Sequence, residues 1–365
     1  MYVVIYKFLN LKTKFMKTTN LKFGALALAA GVLAFGSLTS CNKTTTVTKT
    51  VVDSVAYTPA ATPPSNPDNA TDAGGVDSAN LVAYWSFNTT LTEKVQNLTG
   101  TGTNVIYGTG VKGACYQGSG GSYAVYSSPG TALPALQSFS IAFWMNANQP
   151  INNSTSFVED GLGAQGVFDL ANDSSFWGNL HIDLEPQTVS GTADSANGYV
   201  GTPNPDTLLM KVEMTSTATG VAWVNQFPQV LLPGAVGVWT HVVITYDGAS
   251  GKFTVYENGA AVSFTGAYGY SYGPFNSAIT LYATDPGSST NTNNAPALGN
   301  LKFADAKNLV IGGWQLSTKP TLTTAAGPQP WASNYTGALD EMRIYSNSLS
   351  GNDVQSLYLL EKAGF

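Results

Sequence analysis

Period-two alternation is the feature that most constrains this chain. From Leu81 onward, short runs rich in β-branched and aromatic residues follow one another with almost no helical periodicity between them: "LVAYWSF", "SYAVYSS", "SFSIAFWMN", "LLMKVEM", "WTHVVITYD", "KFTVYENGAAV" and "LDEMRIYS". Successive side chains of a strand point to opposite faces, so this pattern specifies strands with one face in a core. In "SFSIAFWMN", Phe139, Ile141, Phe143 and Met145 share one face, and Ser138, Ser140, Ala142 and Trp144 the other. Asn258-Gly259 in "KFTVYENGAAV" is the pair best able to adopt the positive φ angles of a type I′ hairpin turn. One helix is expected, at the end. Ser350 and Asp353 make a capping-box-like start, and Val354, Leu357 and Tyr358 fall on one stripe. The chain therefore reads as all-β, a two-sheet antiparallel jelly-roll sandwich with a short C-terminal helix.

The N-terminus reads differently. Lys17 and Lys22 form a basic region, residues 23–35 an apolar one, and Leu38-Thr39-Ser40-Cys41 follows, the layout of an export signal. The apolar run is shorter than the roughly 20 residues a membrane-spanning helix needs. Leu-Thr-Ser-Cys resembles a bacterial lipobox, which makes Cys41 the expected lipid attachment site and residues 1–40 a lipoprotein signal peptide. Met16 offers an alternative start that opens a signal of more usual length. An acyl chain contributes about 0.8 kcal/mol per buried methylene, so the lipid is the only membrane contact expected. Residues 41–79 are rich in Thr, Pro, Asn and Ala and too poor in apolar residues to pack, so they read as a disordered tether ahead of a domain spanning 80–365.

Charge excludes one class of partner. All five lysines of the signal lie in a segment without an acid, so its removal leaves 11 basic against 22 acidic residues, a balance of −11. Phosphate binding needs clustered Lys and Arg, and nucleic acid is set aside. The second cysteine, Cys115, has no intramolecular partner once Cys41 is acylated, and reads as a buried structural thiol.

Several blocks carry a family resemblance: "LVAYWSFNTTLTEKVQNLTGTGTNVIYGTGVKGACYQGSGGSYAVY", "SFSIAFWMN", "GVWTHVVITYDGASGKFTVYENGAAV" and "LVIGGW" with "YTGALDEMRIYSNSLSGNDVQSLY". In this order, over most of residues 81–360, they resemble the laminin-G-like domains of the concanavalin A-like lectin and glucanase superfamily. That resemblance implies a curved sandwich from a secreted or surface bacterial protein that binds carbohydrate or protein, or accompanies an enzyme, in many cases with calcium.

The candidate residues divide by chemistry. In "LDEMRIYS" strict alternation puts Asp340, Met342 and Ile344 on one face, and Glu341, Arg343 and Tyr345 on the other. Arg343 is the only arginine and pairs with Glu341 as frame, because a partly buried guanidinium needs a carboxylate. Asp340 among apolar residues needs backbone donors or a cation, and the resemblance implies calcium there. "HIDLEP" puts His181, Asp183 and Glu185 on one side of a strand. Laminarinase-like relatives carry Glu-x-Asp-x-Glu at this place, so His181 stands where their nucleophile would. A retaining glycosidase needs two carboxyls about 5–5.5 Å apart, and residues i and i+2 of a strand sit too close for the inverting alternative at about 6.5 Å or more. No catalytic residues are therefore expected, and these three read as solvated strand polars or a contribution to a binding groove. His241 lies in a core block and reads as structural.

Residues 186–206 and 265–300 read as loop insertions. The second carries "GAYGYSYGPF", whose Tyr268, Tyr270, Tyr272 and Phe275 can stack on a sugar face, with Trp331 and Trp177 as further stacking residues. The expectation is a lipid-anchored, non-catalytic binding protein of the bacterial outer membrane, facing the periplasm or the cell surface, with glycan or a surface protein as partner. An adhesive or structural envelope protein and a divergent glycoside hydrolase are the alternatives.

Overall fold

The computed structural model describes residues 62–148, 163–185, 206–217, 223–225, 229–262, 278–283 and 295–365. Within them the alternating runs become strands. In chain order these are β1 (Leu81–Trp85), β2 (Thr101–Thr103), β3 (Ile106–Thr109), β4 (Ala114–Gly118), β5 (Tyr123–Tyr126), β6 (Phe139–Ala147), β7 (Ala164–Leu170), β8 (Leu180–Glu185) and β9 (Thr207–Ser216). They continue with β10 (Trp223–Asn225), β11 (Gln229–Pro233), β12 (Thr240–Asp247), β13 (Lys252–Glu257), β14 (Ala260–Ala261), β15 (Ile279–Thr280), β16 (Leu309–Ile311), β17 (Ala332–Asn334) and β18 (Gly337–Tyr345), and a helix follows, α1 (Gly351–Lys362).

Two sheets result. The first runs β14-β13-β12-β6-β18-β4-β3, with β1 also on β18 and β15 on β13; the second runs β10-β9-β8-β7-β16-β5-β2, with β11 on β9 and β17 on β7. β17 lies parallel to β7, and the other pairs are antiparallel. The chain passes repeatedly from one sheet to the other, as a jelly roll requires. The core lies between the sheets. Phe139, Ile141, Phe143 and Met145 of β6 enter it from the first, and Leu180, Ile182 and Leu184 of β8 with Leu208, Met210, Val212 and Met214 of β9 from the second. Asn258 (φ 50°) and Gly259 (φ 83°) make the expected hairpin turn between β13 and β14.

The other face of β6 is also covered. Ala142, Val243 and Tyr345 pack under Val354, Leu357 and Leu360 of α1. Ser350 caps that helix, its side chain accepting from Asp353 N–H while Asp353 accepts from Ser350 N–H, the full capping box. Residues 73–76, expected to be the end of the tether, belong to this layer: Ala73 and Val76 are buried against the same cluster, and the Ala73 N–H donates to the Phe365 carbonyl. The boundary therefore lies upstream of residue 79. Two small apolar residues suffice to seal the helix edge, although the segment around them is polar.

Strict alternation fails in β18. Glu341 has φ 47°, and the register against β6 shifts between Asp340 and Arg343, the mark of a β-bulge. Leu339, Met342 and Ile344 face the core, so Asp340 does not share their face as the alternation predicted; it sits opposite Trp144, whose ring packs beside α1. The extra residue absorbs one step of the pleat and turns Asp340 and Glu341 away from the core together.

Candidate functional site

The outer face of the second sheet carries a polar row that the inner face does not. Because Leu180, Ile182 and Leu184 point inward, His181, Asp183 and Glu185 point outward, as the alternation predicts. On β9 the same logic turns Lys211 and Glu213 outward, next to them: His181 pairs with Glu213 and Asp183 with Lys211. On the other side of β8, Asp169 of β7 stands opposite His181. These residues are not the solvated polars expected from sequence. His181 and Asp183 are fully buried, and Asp169, Glu213, Glu185 and Lys211 are exposed by no more than 9%.

Burial sets their electrostatics. The Lys211 ammonium pairs with Glu185 and stands 3.8 Å from Glu213. Burial opposes its charge, but Glu185, Asp183 and Glu213 outweigh this and hold its pKa above that of an ordinary lysine. Burial pushes the Glu213 carboxyl up to about 8, with Lys211 opposing, and raises Asp183 well above the usual carboxylate range for the same reason. Burial also lowers His181, which is therefore a neutral imidazole. Its Nδ1 lies 3.6 Å from Asp169 and its Nε2 3.8 Å from Asp183, both beyond hydrogen-bond reach. Both nitrogens of His181, both oxygens of Asp183, one oxygen each of Asp169 and Glu213, and the Thr215 hydroxyl lack a protein hydrogen-bond partner. A buried polar group left unmatched costs about 1–3 kcal/mol, so a concentration of them on one sheet face is a functional signal.

The row ends in aromatic rings. After β16 the chain turns at Gly312 (φ 77°) and runs back across β7. Gly166 permits this close crossing: a Cβ there would lie 2.6 Å from the Gly313 backbone. The crossing delivers Trp314 flat onto His181, ring centroids 3.5 Å apart, and its indole N–H donates to the Ala164 carbonyl. Trp331 meets Trp314 edge-on at 5.0 Å, Trp177 lies 6.5 Å from Trp331, and Phe176 lies 4.6 Å from Trp177. Phe176, Trp177 and Trp331 are half-buried, each presenting part of a ring to solvent. Gln315 fixes the segment that bears two of them: its side chain accepts from Asn172 N–H and donates to the Ser175 and Phe176 carbonyls, while its own N–H donates to Asp169. One residue thus couples the aromatic edge to the polar row.

Among the sequence-derived candidates, the structure brings Trp331 and Trp177 together and joins them to the "HIDLEP" row. Cys41 and Tyr268, Tyr270, Tyr272 and Phe275 lie outside the described residues. Trp314, Asp169, Lys211 and Glu213 were not singled out from sequence. The alternation of "LLMKVEM" does mark Lys211 and Glu213 as outward-facing, but nothing local announces that Asp169 and Trp314 arrive at the same place.

Asp340 is buried with backbone donors at its carboxyl. Its oxygens accept from the Lys112 and Glu341 backbone N–H groups, which offset part of the desolvation of the carboxyl. Burial holds its carboxyl up at about 8, the Lys112 N–H opposing. The neighbouring Glu341 carboxylate is committed to Arg343 and Tyr84, and no trio of His, Cys, Asp or Glu among the described residues is placed to hold a metal. Arg343 is frame, as expected, but with two carboxylates instead of one. Its guanidinium donates to Glu341 at 2.8 Å and to Glu361 of α1 at 2.7 Å, and lies 3.9 Å over the Tyr84 ring. Trp144 donates to the second oxygen of Glu361. His241 is buried beside them, held low at about 3 by burial and then by Arg343, and Cys115 is a buried thiol that burial pushes up to about 11.

Fold and site together define a two-sheet sandwich with an aromatic edge leading onto a buried acid–base row. No protein-family model matches the chain, and no curated protein is significantly similar to it. Among solved structures it is similar to domain 4 of AbnA, an extracellular GH43 arabinanase of Geobacillus stearothermophilus in complex with arabinotriose, at 19% identity and a TM-score of 0.39 over 76% of this chain and 98% of that one. It is also similar to the binding domain of botulinum neurotoxin DC in complex with SialylT (11% identity, TM-score 0.42, 77% of this chain) and to the receptor binding domain of botulinum neurotoxin D (11%, 0.43, 78%). The likeness spans 51% and 53% of those two chains. Scores of this size carry nothing about what this chain binds.

Proposed function

We propose that this is a lipid-anchored, non-catalytic extracytoplasmic protein of laminin-G-like type that binds carbohydrate on the outer face of the second sheet. The observation that carries the reading is the run of Phe176, Trp177, Trp331 and Trp314, which leads from solvent to buried polar atoms without protein partners. Flat rings stack on the apolar face of a sugar, and unmatched donors and acceptors beside them take its hydroxyls. Raised carboxyls at Asp183 and Glu213 favour an uncharged saccharide, because a neutral carboxyl donates to a hydroxyl whereas an anionic ligand would add like charge.

Two features speak against catalysis. His181 stands at the nucleophile's place and is held neutral by burial. Glu185, the acid/base position, is bound to Lys211 in an ion pair. The test is a glycan array probed with the full-length chain, its Trp331→Ala and Trp177→Ala variants, and Tyr270→Ala in the insertion. Binding that falls by about tenfold or more in the tryptophan variants, with no cleavage of the bound glycan, is expected. An array that stays silent, or binding that the tryptophan variants leave intact, overturns the placement.

A further inference from the structure

A second cavity lies away from the aromatic edge. It has a volume of about 300 Å³ and is walled by the end of β2, the start of β5, the turn after Trp314 and the end of β17. That is the lower end of the range for small-ligand clefts, about 300–1,000 Å³, with room for one ring.

The lining is prepared. Ser317 is held in place, accepting from Trp314 N–H at 2.9 Å and giving its one hydroxyl hydrogen to Asn334 Oδ1 at 2.7 Å, with the Trp314 carbonyl a more distant acceptor at 3.2 Å. Because Asn334 Oδ1 accepts from Ser317, its Nδ2 hydrogens remain for something else, and the residue is 3% exposed. Tyr123, 6% exposed, accepts from the Lys319 backbone N–H, which leaves its own hydroxyl hydrogen to donate. The Thr103 hydroxyl and the Asn104 side-chain oxygen add groups able to accept. The cavity thus offers amide and hydroxyl donors, acceptors, one tyrosine ring and one charged residue, Lys319, with no carboxylate in its lining.

We propose that this cavity is a separate binding site for a single uncharged sugar residue. Mixed hydrogen-bonding groups beside a single lysine, converging on one ring-sized space, match a polyhydroxylated ring, in which each hydroxyl both donates and accepts. A charged ligand would instead require a concentration of one sign. The proposal does not rest on the aromatic edge, although the two sites share the turn that holds Trp314 and Ser317 and the strand β17, which follows Trp331 and ends in Asn334.

The experiment is a titration of the full-length chain with millimolar glucose, galactose, mannose, arabinose and xylose, and with inorganic phosphate, followed by calorimetry and ligand-observed NMR. Thr103→Trp fills the mouth from the strand edge, Tyr123→Phe removes one hydroxyl and keeps the ring, and Trp331→Ala disables the aromatic edge. At least one sugar should bind, losing about tenfold in affinity in Tyr123→Phe and becoming undetectable in Thr103→Trp while Trp331→Ala leaves it unchanged. Sugar binding lost only in Trp331→Ala places it on the aromatic edge and overturns the second site, without touching the proposed function. Binding of phosphate in place of sugar, or of none of the probes, overturns it as well. Thermal melts of the variants show that loss of binding is not loss of fold.

Discussion

His181 lies flat against Trp314, the ring centroids 3.5 Å apart and the planes 28° from parallel. The two residues are far apart in sequence, His181 on β8 and Trp314 in the connection after β16, yet the indole roofs the imidazole. The stack joins the polar row to the aromatic edge, and it makes the loop after β16 part of the site.

Removing that roof should unseat both. Trp314→Ala deletes a buried indole and its hydrogen bond to Ala164, a change worth about 3–5 kcal/mol in a core. Urea denaturation should show a loss of that order, and tryptophan fluorescence should report a changed environment for Trp331, which then lacks its edge-on neighbour. A stability within about 1 kcal/mol of the parent would mean that the loop is held by its backbone alone.

Arg343 should be far more sensitive than a surface arginine. Arg343→Met leaves Glu341 and Glu361 buried without their shared cation, and breaking a buried pair in this way costs about 3–5 kcal/mol. The double change Arg343→Met with Glu361→Gln should recover part of the loss, because one uncompensated charge is removed. Chemical denaturation of the three proteins checks the ordering; a single variant as stable as the parent would show that the network contributes nothing.

Stability should fall toward alkaline pH. Glu213 and Asp340 are held up at about 8 by burial, so the folded chain keeps protons that the unfolded chain releases from the ordinary carboxylate range upward, and the stability tied to those protons disappears as pH rises toward 8. Asp183, Glu341 and Glu361 shift the same way. His181 and His241 act oppositely: the unfolded chain binds protons that the folded one refuses, so stability also drops as pH falls below the ordinary histidine range toward about 3. The raised carboxyls outnumber the lowered histidines, which places the maximum on the acid side of neutrality. Melting temperatures should be higher at pH 5 than at pH 8.5, and Glu213→Gln and Asp340→Asn should each narrow the gap. A flat profile would show that these carboxyls are ionised in the fold.

The strands, their inward faces, the Asn258-Gly259 turn and the capped terminal helix were all legible from the residues, because each depends on local chemistry: the pleat, the φ preference of two turn residues, a serine and an aspartate three positions apart. The outward direction of His181, Asp183 and Glu185 was legible for the same reason. The burial of those three was not, since a strand's outer face says nothing about what crosses it. The bulge at Glu341 was equally hidden, and with it the true surroundings of Asp340, because one residue in the left-handed region reverses every later side chain without a warning in the composition. Sequence alone determined the sandwich and which side chains leave its core. Tertiary structure decided that Asp169, Lys211, Glu213 and Trp314 meet on one of its faces, because pairing of β7 and β9 on either side of β8 aligns the first three and a distant connection after β16 must cross β7 to bring in the fourth.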